Sequence, residues 1–77
     1  MFKIEMTDTF AGEANYSWVR RETLDAPATL SRRALVRRAK ALIGWTCARC
    51  DVTDYGDMLD IRPRGACVVC FVTYREE

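Results

Sequence analysis

Four cysteines are the residues whose spacing comes nearest to a chemical site: Cys47 and Cys50 in "CARC", then Cys67 and Cys70 in "CVVC" sixteen residues on. Two Cys-x-x-Cys pairs separated by about 15 to 20 residues match the four-thiolate zinc ribbon. Zinc needs a tetrahedron of thiolates, and each pair normally sits on a tight knuckle that aims both sulfurs at one ion. The second pair has no such turn. "CVVCFVTY" is β-branched and aromatic, and in a strand Cys67 and Cys70 project from opposite faces because side chains alternate with period two. "CARC" lacks a knuckle glycine or proline as well. Cysteine as a small core residue is therefore the preferred reading, zinc the runner-up, and no cofactor is expected. A redox role for Cys47 and Cys50 is weaker still, because no βαβ context surrounds them.

The chain has no histidine, which removes Ser-His-Asp and Cys-His catalysis, His-ligated zinc and histidine pH switching. No activated nucleophile, acid and base pair or phosphate loop takes their place, so an enzyme is not expected. Four reduced cysteines suit the cytosol. "MFKIEMTDTF" lacks the features of a secretion signal, and no apolar run is long enough for a membrane span.

The charges are polarised. Residues 31 to 44 carry Arg32, Arg33, Arg37, Arg38 and Lys40 with no acid, a segment charge of +5, while the rest of the chain is −4 and the whole is +1. Arg33, Arg37, Arg38 and Lys40, with Arg20 and Arg21 beside them, form a candidate nucleic-acid or partner contact. A solvated outer face is the preferred reading, because nucleic-acid binders commonly have a domain pI above 9 and this chain's is about 7.6. Direct nucleic-acid binding is thus not the expectation. Asp51, Asp54, Asp57 and Asp60 form a second cluster, suited to a basic partner surface or to solubility.

These residues need a scaffold, and 77 residues allow one small domain. Phe2, Ile4 and Met6 alternate with Lys3, Glu5 and Thr7 in a strand over 2–8; "TFAGEAN" reads as its loop, and 16–24 as a second strand that leaves the sheet towards its end. A helix over 32–44 is predicted from Ser31 as N-cap, Leu30 and Leu35 as a staple, Gly44 as terminator, and a stripe of Leu35, Val36, Ala39, Leu42 and Ile43. Strands over 49–55, 57–63 and 66–75 follow, with turns at Gly56 and at Pro63 to Gly65. The order ββαβββ with one helix predicts a two-layer α+β domain, an antiparallel sheet covered on one face. The last of these strands reads as the central one and is apolar on both sides, so a homodimer through Val68, Cys70 and Val72 is expected unless the N-terminal segment folds over the uncovered face.

"FAGEANYSWV", supported by "LVRRAKALIGWT" and "YGD", resembles a family of small proteins encoded by bacteriophages and prophages, over nearly the whole chain. Some members are similar to anti-CRISPR proteins, inhibitors of the host type I CRISPR effector complex. The resemblance implies a protein of the bacterial cytosol that binds effector subunits stoichiometrically and blocks target DNA. It implies that Asp51, Asp54, Asp57 and Asp60 face a basic groove, and it carries over no catalytic motif. A small regulatory protein that binds nucleic acid or zinc, and a self-associating accessory protein, are the alternatives.

Overall fold

In the computed structural model, which describes residues 1–75, the chain runs β1 (Phe2–Phe10), β2 (Glu13–Leu24), α1 (Arg32–Leu42), β3 (Cys50–Asp54), β4 (Met58–Pro63), β5 (Val68–Tyr74). The strands form one antiparallel sheet in the order β2-β1-β5-β4-β3. The predicted α+β class and element order hold, and β5 is central.

Helix α1 starts and stops where its capping residues place it. The Ser31 side chain accepts from the Ala34 N–H at 3.2 Å. At the other end Gly44 takes φ 83°, its N–H donates to the Ala41 carbonyl, and Trp45 N–H donates to the Lys40 carbonyl at 2.7 Å. That pair of bonds is a Schellman motif, which requires a left-handed residue after the cap and so favours glycine. Leu35, Ala39 and Ile43 of this segment are buried against Phe2, Ile4, Leu24, Leu59, Ile61, Cys70 and Val72 of the sheet. Val36, Leu30 and Leu42 pack on its edge. Cys70 and Val72, expected at a dimer interface, thus lie in the core under the helix; Val68 beside them is half-buried.

The β1–β2 hairpin departs from expectation. The stretch expected as a loop over 9–15 is mostly strand, because the connection is a two-residue turn in which Ala11 and Gly12 both have positive φ, 53° and 84°. That is the type I′ geometry whose twist matches the flanking strands; alanine in its first position hides the usual signal. Nor does β2 leave the sheet at its end, since Leu24 pairs with Phe2. The irregularity is in the middle: Thr7 pairs with Val19 but Thr9 with Ala14, so β2 carries extra residues there.

This bulge is held by two side chains of β1. The Thr7 hydroxyl accepts from Tyr16 N–H at 3.0 Å and donates to the Trp18 carbonyl at 2.9 Å. The Asp8 carboxylate accepts from the Ser17 hydroxyl at 2.6 Å, Ser17 N–H at 3.0 Å and the Asn15 amide at 3.0 Å. Tyr16 is thereby held at φ 56°, a left-handed conformation that costs a non-glycine residue about 1–2 kcal/mol. Hydrogen bonds of about 1 kcal/mol each offset that.

The bulge bends the hairpin over the sheet face away from α1. Arg62 on β4 donates to the Gly12 carbonyl, and Arg62 is separated from β1 by the whole width of β5. Val69, on this face by alternation, is completely buried without belonging to the core under the helix. The N-terminal hairpin therefore covers part of the face that one helix leaves open.

Two outcomes follow for the bulge. Thr7→Val strands the Tyr16 N–H and is expected to lower the unfolding free energy by about 1–3 kcal/mol in urea titrations. The Asp8 carboxyl is held down to about 2 from 3.8, chiefly by the Ser17 hydroxyl and then Asn15. Since its folded value is depressed, its stabilisation is present above about pH 4 and is lost as pH falls through 2. Asp8→Asn should remove that part of the acid dependence.

Candidate functional site

The four cysteines do not converge. Cys47 is exposed after the helix, Cys67 is exposed in the turn before β5, Cys50 is half-buried at the start of β3, and Cys70 is buried. Burial pushes the Cys70 thiol up to about 12, with smaller contributions from Cys50 and Asp60. No group of three or more Cys, Asp or Glu is arranged to hold a metal among the described residues.

Nor do the four aspartates share a surface. Asp51 accepts from both Nε and Nη2 of Arg64, at 3.1 and 2.9 Å. Asp54 pairs with Arg32 at 3.2 Å, and its other oxygen accepts from Gly56 N–H at 2.8 Å, closing the β3–β4 turn. Asp60, only 6% exposed, receives both Nε and Nη2 of Arg62, at 3.0 and 3.3 Å. Of the four, only Asp57 lacks an ion pair among the described residues. The acids are spent on holding the chain's own elements together.

Two acids of the β1–β2 hairpin are paired as well. Glu5 pairs with Arg21 at 3.3 Å and lies 3.9 Å from Lys3, and Glu22 pairs with Arg20 at 3.1 Å. Arg20 also donates to the Leu42 carbonyl at the end of α1, whereas Arg21 faces the opposite side of the sheet with Glu5. The basic surface expected from Arg20, Arg21 and the helix is therefore not continuous.

Arg33, Arg37 and Arg38 remain, exposed and in no ion pair among the described residues. Lys40 donates to the Ala48 carbonyl at 2.7 Å, which fixes its ammonium beside the chain leaving the helix. Arg33, Val36, Arg37 and Lys40 recur at helical spacing on one stripe, and Thr46 closes their end to form a cleft of about 150 Å³. Thr46 carried no sequence signal, because nothing in a linear pattern says that the chain after Gly44 turns back along the helix.

A second concavity lies on the uncovered half of the sheet, about 360 Å³, between Phe71 and Met58 on one side and Tyr16, Lys3 and Glu5 on the other. The Tyr16 hydroxyl is raised above its ordinary value by loss of water first and then by Glu5. Phe71 is paired across the strands with Glu5 and Asp60, whose carboxylates are each held by an arginine.

No helix among the described residues is long and apolar enough to cross a membrane. Comparison with known protein families, with curated proteins and with solved structures gives no match.

Protein purified without chelator is expected to contain no zinc by elemental analysis, and Cys47→Ser with Cys67→Ser is expected to leave its melting temperature unchanged. Zinc near one equivalent, lost with those substitutions, would contradict the placement of the cysteines.

Proposed function

We propose that this is a non-catalytic binding protein that acts by stoichiometric contact, with the outer surface of α1 as its contact surface and an anionic surface as its target. The observation that carries this reading is the uneven use of charge: the acids of the sheet are largely paired within the chain, and of the helix arginines only Arg32 is, while Arg33, Arg37 and Arg38 are in no ion pair among the described residues. Unpaired charge projects a field that steers an oppositely charged partner, while a bidentate ion pair is nearly neutral at a distance. Arg33, Arg37 and Arg38 are the contact residues, in place of the four aspartates.

The resemblance to phage-encoded inhibitors names one partner, the type I CRISPR effector complex of the bacterial host. An 8.8 kDa domain bound there acts as an obstruction to target DNA and turns nothing over. Its helix arginines meet anionic groups of the complex and its sheet gives the helix a rigid backing.

The tagged protein is expected to retain a type I effector from a bacterial lysate, and Arg33→Glu with Arg37→Glu and Arg38→Glu to reduce retention at least tenfold with an unchanged circular dichroism spectrum. An effector left in the flow-through while another host protein is held removes the effector reading. Undiminished retention by the triple variant removes the helix surface.

A further inference from the structure

The geometry points to the cleft of Arg33, Arg37, Lys40 and Thr46 as a seat for phosphodiester groups of a single nucleic-acid strand. This inference rests on the reading of α1 as the contact surface and names the chemistry of what it contacts.

The cleft collects two guanidinium groups, an ammonium and a hydroxyl around a floor formed by Val36, with no carboxylate in its lining. Its volume of about 150 Å³ admits a phosphate group. Guanidinium presents donors in a fixed fork that matches phosphate oxygens. Lys40 uses one of its three donors on Ala48, which leaves the other two for an anion. Thr46 supplies a neutral donor at the same place.

The end of a helix that exposes carbonyls normally disfavours an anion. Here the last carbonyls are engaged: Ala39 accepts from Ile43, Lys40 from Trp45 and Ala41 from Gly44, and the Lys40 ammonium lies between them and the cleft. The negative end of the helix is thus muted where the anion would sit.

A strand is favoured over an acidic protein by the spacing of the cations. Arg33 and Arg37 are one turn apart, about 6 Å along the axis, and Lys40 continues the same stripe, so the charges form a row that suits a repeating backbone. A near-neutral whole-chain charge of +1 does not oppose this. Among the described residues Glu5, Glu22, Asp51, Asp54 and Asp60, which help to lower it, are tied into ion pairs outside the cleft.

The test uses nuclear magnetic resonance and fluorescence binding on the intact protein, with three probes: a single-stranded oligonucleotide of roughly a dozen nucleotides, inorganic phosphate, and polyglutamate of matching charge. Expected are shifts of the Arg33 and Arg37 side-chain and Thr46 amide resonances with the oligonucleotide, and a log–log salt slope of about −2 for three neutralised phosphates. Arg37→Ala reduces that slope in magnitude, and Arg21→Ala, on the opposite face of the sheet, leaves it unchanged. The inference is overturned if the oligonucleotide moves none of these resonances, or if polyglutamate binds as tightly, which would assign the row to acidic proteins. It is equally overturned if phosphate alone binds, or if Arg21→Ala weakens binding as much as Arg37→Ala. Effector capture does not enter this measurement, so its outcome is separate from that of the pull-down.

Discussion

A helix of eleven residues lies on a sheet of five strands, and it can bury only one face. The opposite face of the central strand is also apolar, with Val69 and Phe71 side by side on it. Leaving both exposed would make the sheet a site of association. The chain resolves half of this problem internally. It lengthens the β1–β2 hairpin, inserts a bulge, and bends the end of the hairpin over Val69. Every part of that solution is local: a two-residue turn with positive φ at both positions, a threonine that bonds both sides of the bulge, and an aspartate that receives three donors. Without the bulge a straight hairpin would extend into water, and Val69 would have nothing over it.

The same constraint decides where the charges go. A small two-layer domain has short loops and few buried contacts with which to fix strand ends, and here carboxylate and arginine pairs tie elements at several of them. Arg62 holds Asp60 and the hairpin turn together, Arg64 crosses to Asp51, and Arg32 joins the start of the helix to the β3–β4 turn. Exposed pairs of this kind contribute little to stability, typically below 1 kcal/mol. Their consequence for function is larger, because each one cancels an acid on the surface. The helix lies over the core with no acid in its own sequence, so its outer arginines find no such partner.

Much of this was legible in the sequence. Ser31, Gly44 and the stripe through Leu35, Ala39 and Ile43 define the helix because capping and amphipathicity are local properties. The two-sided apolarity of "CVVCFVTY" places β5 at the centre, and the same residues argue against a zinc knuckle. The bulge was not legible: Ala11 and Tyr16 in left-handed conformations have no propensity signal, and Thr7 and Asp8 read as ordinary strand residues until their partners on β2 are known. The aspartates misled for a related reason. Their clustering in the sequence suggests one acidic surface, but period-two alternation sends Asp51 and Asp60 to one side of the sheet and Asp54 to the other, each towards a different arginine. The choice of Cys70 and Val72 as interface residues misled on sidedness too, since alternation alone does not say which face of β5 the helix takes, and both lie in the core under it.

Net charge is a sum over all residues, and a partner responds to the field that remains after internal pairing. In this chain the two differ in sign of argument. A pI near 7.6 speaks against an anionic partner, because it weighs Asp51, Asp54 and Asp60 equally with Arg33, Arg37 and Arg38. The fold does not weigh them equally. A carboxylate that accepts two donors from one guanidinium is screened by it within a few ångströms, far inside the Debye length of about 8 Å at physiological salt, whereas three arginines in no ion pair among the described residues act at that full range. The functional surface of so small a domain is therefore set less by its composition than by which of its charges the architecture has already used.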